Sequence, residues 1–505
     1  LIALLETRFL TMLVNIPLQV AVVAPFAAYA MIHVIMAWAK GRNDLEIVAV
    51  EQAPAPAKRG LALRLIGQIE KRIFASRMAP AAPAPDHLPR LEADKPLDLV
   101  VTLGGAQAPT ELVARARLGA IAVDADAEPA FFDAADRHVS TAFAIRRPGA
   151  DTAFAFGRIE TMPYWTWAQD HLNSKALAYL KRILSHVAQA RALPAERAMP
   201  QSLRQDRPGP DKVIGYGFAA AARIVRALAM RPFKRQMRWR VRIAEGAWPN
   251  VDLTKAIEVP NEPGHLLADP FVLHHNGRDL LFVEDCDDIT GRGFLTVYEI
   301  KDGRASRLGE ALREPFHLSY PFVFEFEGRV LMVPETGSIG EIRVYEAQNF
   351  PLDWKPVATL MRDVRAVDTA LFERYGKWWM LTNIDSAGIN SYADELHLFW
   401  ADHPLSEAWT PHPMNPIRFD PLVARNGGFL RNGDKIYRVA QQQDFQFYGR
   451  SVTVFEIVTL TETDYEEHEV AAYGPEIATG MDGLHHLNSN GRYTVFDIGR
   501  YEAMR

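Results

Sequence analysis

The stretch Asp269-Pro-Phe-Val-Leu-His-His-Asn-Gly277-Arg-Asp-Leu-Leu-Phe-Val-Glu284 is an apolar run, a polar turn closed by glycine, and a second apolar run. The same outline returns four times. The copies are Tyr320-Pro-Phe-Val-Phe-Glu-Phe-Glu-Gly328 running on to Glu335, Asp368-Thr-Ala-Leu-Phe-Glu-Arg-Tyr-Gly376 running on to Asn383, Arg425-Asn-Gly-Gly-Phe-Leu-Arg-Asn-Gly433, and Gly483-Leu-His-His-Leu-Asn-Ser-Asn-Gly491. Their glycines stand 51, 48, 57 and 58 residues apart. A repeat of roughly 40 to 50 residues with a hairpin at its centre is the sequence signature of a propeller blade, and glycine suits the positive φ of a tight hairpin turn. Residues 236–505 are therefore expected to form an all-β five-bladed β-propeller. The strand-like stretch Gln236 to Ile243 should close the ring by pairing into blade five, because closure removes the exposed sheet edges.

Outward from the repeats, the first part of the chain has a different grammar. Leu18 to Val23 reads as a strand, Ala27 to Ala39 as a helix and Leu45 to Val50 as a second strand, which together make a βαβ unit with buried, apolar first elements. The apolar stretch from Phe9 to Ala39 is also long enough for a membrane span or anchor, although Pro25 divides it. No positively charged leader precedes a short apolar core, so no cleavable signal peptide is expected. An Ala- and Pro-rich excursion over residues 51–95 carries a basic amphipathic segment, Ala57 to Arg77. Then come a strand at Leu97 to Leu103, the Gly104-Gly105 turn, a helix from Pro109 to Leu118, Gly119, and a strand at Ala120 to Val123. The alternation predicts an open-sheet α/β domain over residues 1–192, a basic helical linker over 193–235, and the propeller over 236–505.

Bulk properties narrow the function. A chain of 505 residues is too long for one ordinary core. A net charge of -6 gives no general attraction for nucleic acid. The single Cys286 excludes an internal disulfide framework and a cysteine zinc cluster, and fits a reducing, cytoplasmic setting. Basic residues over 223–242, beside an apolar helix, suit a peripheral membrane contact.

Aligning the repeats on their glycines gives a site map. Eight residues before the glycine stand Asp269, Tyr320, Asp368 and Arg425; seven after it stand Glu284, Glu335 and Asn383. His317 and Ser319 precede Tyr320, Gln442, Asp444 and Tyr448 follow blade four's second strand, and His485, His486 and Asp497 belong to blade five. Glycosyl transfer and hydrolysis use such a set: one carboxylate to take a proton, a carboxyl of raised pKa to give one, and a third charge to tune it. Tyr320, Trp379 and Tyr448 offer flat faces for a sugar ring, and Arg425 with the histidines offers a place for an anionic group. His485 and His486 are strand neighbours that point to opposite faces, so no metal is expected, and nothing calls for a cofactor. A structural role competes throughout, since an inner-strand Asp often bonds backbone amides across blades and His317 can be a packed histidine.

Two resemblances add to this. The order strand, Gly-Gly turn, helix, Gly, strand, then His138 to Ile145 and a helix around Asn173 to Lys181, resembles the N-terminal domain of folate-dependent formyltransferases. Where that family carries Asn-x-His and a later Asp, this chain reads Val123-Asp124-Ala125-Asp126 with no His following. Ala-Asp269-Pro-Phe, His317-Leu-Ser-Tyr-Pro-Phe, Pro-Glu335-Thr, Val-Asp368-Thr-Ala-Leu-Phe and Gly-Lys-Trp378-Trp379 resemble the propeller domain of plant glucosamine inositolphosphorylceramide transferases and of bacterial proteins that join it to a formyltransferase-like domain. More distantly the region is similar to the arabinanase, xylosidase and invertase glycosidases. The resemblance implies Asp269 as base, Asp368 as tuning carboxylate and Glu335 as proton donor, acting on a carbohydrate or a sugar-containing lipid of the cell surface. The alternatives are a non-catalytic sugar-binding or scaffold protein, and formyl or acyl transfer to an amino sugar by the N-terminal domain.

Overall fold

The computed structural model describes residues 16–25, 28–53, 61–78, 87–92, 95–125, 127–199, 209–229, 235–287, 289–443, 445 and 447–503. The chain divides into two compact units, Leu1–Arg226 and Ala227–Arg505.

In the first unit a six-stranded sheet runs in the order Leu45–Gln52, Leu18–Ala24, Leu99–Leu103, Ala120–Asp124, Ser140–Arg146, Ala155–Glu160. The first four strands are parallel and the last two antiparallel. Every residue of Leu18–Ala24 and of Leu99–Leu103 is buried, which explains their unbroken apolar runs: central parallel strands are covered on both faces. The apolar stretch that also suited a membrane span is this strand followed by the short helix Tyr29–Ala39. Its first part, residues 9–15, lies outside the described residues. No described helix is long and apolar enough to cross a membrane.

The helix Trp165–Ala190 lays Leu172, Ala176, Leu180, Ile183 and Val187 inward at helical spacing. Two more helices, Leu61–Phe74 and Pro210–Ala229, join it through a buried polar knot. Glu70 accepts the backbone N–H (2.9 Å) and hydroxyl (3.0 Å) of Thr166 and the hydroxyl of Tyr216, whose oxygen in turn accepts the Trp165 N–H at 2.7 Å. The helix beginning at Pro210 thus packs on the first unit.

The second unit is a five-bladed propeller of four-stranded antiparallel blades; one blade has a fifth, short strand. Arg235–Glu245 pairs along its whole length with Tyr493–Ala503, so the strand before blade one completes blade five and closes the ring. The first strands of the blades touch one another around the axis. In blades one to three each begins with a bulge, where the register breaks between Ala268 and Phe271, Ser319 and Phe322, and Val367 and Ala370. Asp269, Tyr320 and Asp368 hold the first bulge position with φ of 49, 46 and 53°, a conformation that persists only where surrounding bonds impose it.

Blade four keeps the bulge but shifts it relative to the glycine count. Its register breaks between Asn426 and Phe429, so Gly427, not Arg425, is the counterpart of Asp269. Gly433 opens its two-residue turn where Gly277, Gly328 and Gly376 close theirs, and one rung fewer separates turn from bulge. Glycine is required there by crowding: a Cβ on Gly427 would lie 2.4 Å from the His485 carbonyl oxygen, and one on Gly428 2.0 Å from that of Leu487.

Candidate active site

The bulges turn polar groups toward the axis, and the polar groups stitch the blades together. The Asp269 N–H donates to Asp497 Oδ2 at 3.0 Å, and Asp269 Oδ2 accepts the Tyr320 N–H at 3.1 Å. Asn426 Nδ2 donates to the Asp368 carbonyl at 2.8 Å. Around this ring stand Asp269, Glu284, Glu335, Asp368 and Asp497, facing the cations Arg425 and His485. Acid exceeds base, and the carboxyls separate in proton affinity.

Asp269 is the most strongly acidic. Burial would raise it, yet His485 and His486 beside it hold its carboxyl far below the usual carboxylate range. His485 Nε2 lies 3.2 Å from Asp269 Oδ1, and its Nδ1 lies 2.9 Å from Asp497 Oδ1. Although burial pulls the imidazole down, Asp497 and Asp269 push it up to about 10, so it is an imidazolium at neutral pH. Asp269, His485 and Asp497 offer ligand atoms within 4.8 Å of one another, as a cation site would. Both ring nitrogens of His485 face carboxylates, and in its doubly protonated form the ring offers no lone pair to a cation.

Glu335 behaves in the opposite way. Burial and the neighbouring Asp368 raise it to about 8, with Asp269 adding to the effect against the pull of Arg425 and a hydrogen bond from Ser319. Asp368 is itself raised by burial and restrained by Arg425, whose Nε donates to Asp368 Oδ2 at 2.7 Å. Arg425 is fixed further by donating from Nη1 to Gln443 Oε1 at 2.8 Å, and its guanidinium lies 5.1 Å from the Tyr448 ring centre. Glu284 is also raised well above the ordinary carboxyl range, by burial and then by Asp269 and Glu335. His317 Nδ1 accepts the Gly293 N–H at 3.0 Å, which leaves the proton of its neutral form on Nε2, 3.6 Å from Glu284 Oε1. Burial lowers the His317 pKa and favours that neutral form.

Several sequence expectations change here. Asn383 is fully enclosed and spends its amide on the carbonyls of Glu395 (2.9 Å) and Ala424 (3.0 Å) and the N–H of Asn426 (2.8 Å), so it is a strut and not a substrate contact. The Tyr320 ring has no exposed surface and packs edge-on against Phe271 and His486. Trp379 is likewise core, its Nε1 donating to the Arg374 carbonyl at 3.1 Å, while Trp378 packs half-buried against Phe324 and Phe326. Neither Tyr320 nor Trp379 can receive a sugar. Gln442 accepts the Ser451 hydroxyl at 3.0 Å beside its strand; its neighbour Gln443 is the one that reaches Arg425. Asp444 lies outside the described residues. His486 is buried with Nδ1 3.5 Å from Asp269 Oδ1. Tyr448 alone of the proposed aromatic faces is substantially exposed, at 40%. In the first unit Asp124 is ion-paired with Arg146, and Asp126 lies outside the described residues.

Asp497 and Gln443 complete the site beyond the glycine map. Asp497 was visible as one carboxylate interrupting the apolar run Tyr493 to Ile498. Gln443 lies past the end of its strand at Gln441, where alternation no longer reports direction.

Residues 226–497 match the family model described as "Glucosamine inositolphosphorylceramide transferase 1, N-terminal". Glucosamine inositolphosphorylceramide transferase 1 of Arabidopsis thaliana is 34% identical over 252 residues, covering 48% of this chain and 32% of that protein. Its counterpart from Oryza sativa subsp. japonica is 35% identical over 259 residues, 48% of this chain and 34% of that protein. The chain thus matches about a third of the length of these curated relatives. Among solved structures, the catalytic domain of Coprinopsis cinerea GH62 alpha-L-arabinofuranosidase is similar at 11% identity and a TM-score of 0.35, covering 54% of this chain and 99% of that one.

Proposed function

The chain belongs to the family of the N-terminal region of glucosamine inositolphosphorylceramide transferase 1, and from that premise we propose that its propeller makes or breaks a glycosidic bond in a sugar-containing lipid or cell-surface polysaccharide. The observation that carries the reading is the divergence of two carboxyls in one site: Asp269 kept ionised by its histidines, Glu335 kept protonated at neutral pH. Paired groups pushed apart in this way are what acid–base catalysis needs.

In the proposed reaction Glu335 gives its proton to the departing glycosidic oxygen as the bond to the anomeric carbon breaks. Asp269 takes the proton of the attacking hydroxyl as the new bond to that carbon forms. A sugar or lipid hydroxyl gives transfer; water gives hydrolysis. Asp368 raises Glu335 by its charge, and Arg425 holds Asp368 in place. Glu284, also raised, is the second candidate donor. The relatives' name, glucosamine inositolphosphorylceramide transferase, supports the substrate class.

Substituting Asp269→Asn and Glu335→Gln separately, with turnover measured on a panel of oligosaccharides, activated sugars and glycosylated lipids, tests this. Unchanged turnover in either variant refutes the assignment of that residue. One observation favours a second reading, a sugar-binding module without turnover: both oxygens of Asp269 are engaged, Oδ1 by His485 and Oδ2 by the Tyr320 N–H, and the residue is only 7% exposed. Calorimetric binding of a glycan by the wild type with no product formed would select it. For formyl or acyl transfer by the first unit the support is the order of its elements alone, and a folate thermal-shift assay decides it.

A further inference from the structure

Two helices of the first unit expose what amphipathic helices ordinarily bury. Leu61–Phe74 turns Leu63, Gly67 and Glu70 inward, yet Leu61, Leu65, Ile69 and Ile73 stand 48 to 67% exposed, four residues apart along one stripe. Pro210–Ala229 buries Val213, Tyr216 and Ala220 and leaves Ile214 53%, Phe218 77% and Val225 64% exposed on a second stripe.

The stripes adjoin. At about 100° per residue, Ile66 flanks the stripe of the first helix on the side of Ile69 and Ile73, and Gly217 flanks the second on the side of Ile214. These two residues meet, since a Cβ on Gly217 would lie 3.0 Å from Ile66 Cδ1. The pair therefore presents one apolar band with a seam at Ile66 and Gly217.

The charge around the band is mainly basic. Arg64 and Lys71 lie on the far flank of the first helix, Arg72 stands within its stripe between Leu61 and Leu65, and Arg226 lies on the far flank of the second, all exposed; Asp211, also exposed, borders the second stripe beside Phe218. Glu70, the only acid of Leu61–Phe74, is buried and bonded to Thr166 and Tyr216. Two basic residues further along, Arg240 and Arg242, have different work. Arg240 pairs with Glu258 and Glu502, and Arg242 with Glu258, within the closing sheet of the propeller.

We propose that this helix pair docks on an anionic lipid surface, with Leu65, Ile69, Phe218 and Val225 entering the headgroup boundary and the arginines and lysine meeting lipid phosphates. An apolar stripe edged by basic side chains is the pattern of a helix that lies in the membrane interface, and the polybasic flank adds attraction that falls with salt. The surface is separate from the propeller site, and the proposal stands whether or not that site is catalytic.

The test is cosedimentation of the full chain with phosphatidylcholine vesicles, with and without a third of phosphatidylglycerol, at low and high salt. The wild type should bind the anionic vesicles, lose most binding in high salt, and bind neutral vesicles at least tenfold less. Ile69→Glu with Phe218→Glu should lower anionic binding at least tenfold with an unchanged unfolding transition, which is expected because both side chains already face solvent. Arg64→Glu with Lys71→Glu, which leaves the apolar band intact, should give the same direction. Binding that is equal in wild type and all variants overturns the proposal. So does a dimer, seen by sedimentation velocity without vesicles and dissociated by Phe218→Glu, since the band would then belong to a second copy.

Discussion

Glu467, buried in blade four, and Glu335, half-buried in blade two, belong to the same propeller, yet desolvation ends in opposite charge states. Glu467 receives Arg438 through two bonds of 2.9 and 2.6 Å, Arg418 at 2.7 Å and the Tyr465 hydroxyl at 2.5 Å. Burial would raise it, but the two guanidinium groups bring it down to about 2. Glu335 has Arg425 nearby, but that charge is already bonded to Asp368, and Asp269 adds a further negative neighbour, so its carboxyl rises to about 8. In one cluster the acid is fully compensated, by two cations, and it holds blade four together. The other is left with more acids than cations, and the surplus is stored as displaced proton affinity. Burial alone does not mark a functional carboxyl; incomplete compensation does.

The largest effect should come from removing the displaced proton. Glu335→Gln is expected to lower kcat by about 10² to 10⁴, the usual contribution of a positioned acid or base, while leaving stability equal or higher because a strained acid has been replaced by a neutral isostere. Chemical denaturation beside steady-state kinetics reads both. Arg438→Met should do the reverse. It leaves Glu467 buried without its bidentate partner and should cost about 3 to 5 kcal/mol of stability, as breaking buried pairs does, with catalysis by the remaining folded protein unchanged. If both substitutions reduce stability alike, the two clusters are not different in kind.

Their pH dependence should also run in opposite directions. Glu335 has a folded pKa above its unfolded value, so its contribution is fully present below about 4.5 and is lost as pH rises toward about 8. Glu467 has a folded pKa below its unfolded value, so its contribution is present above about 4.5 and is lost as pH falls toward about 2. Stability measured against pH should lose its decline between about 4.5 and 8 in Glu335→Gln, and its fall below about 4.5 in Glu467→Gln. In kinetics the rate should fall above about 8 as Glu335 ionises. Asp368→Asn removes the negative neighbour that raises Glu335 most, and should move that limb to lower pH. A limb that stays in place would assign it to another group, Glu284 being the first alternative.

The sequence carried the blades well because a hairpin turn and its glycine are local: the turns at Gly277, Gly328 and Gly376 all have the residue before glycine at positive φ as well. It placed Asp269, Glu335 and Asp368 at one axis for the same reason. The slip came in blade four, where the Gly427-Gly428 bulge answers crowding from His485 and Leu487 of the next blade, a constraint from residues more than fifty positions away. Orientation was the other loss. Tyr320 and Asn383 occupy the expected positions, but a bulge with positive φ sends the Tyr320 ring into the core, and Asn383 is bound to the backbone of blade four. The exposed stripe of Leu61–Phe74 was legible as an amphipathic pattern, whereas which of its faces finds a partner depends on Trp165–Ala190 and Pro210–Ala229.

The smallest effect is expected at Tyr448, which tests whether the surplus-acid cluster also holds a sugar. Its ring is exposed at the site and stands over Arg425. Tyr448→Phe keeps both the face and the cation contact, so kinetics should stay within about twofold. Tyr448→Ala removes the face. KM should therefore rise with kcat little changed, since a platform for the sugar binds ground state and transition state alike. A fall in kcat without a change in KM would mean that the ring acts through Arg425 on Asp368, and so on the proton of Glu335. Tyr448 would then belong to the charge balance and not to substrate binding.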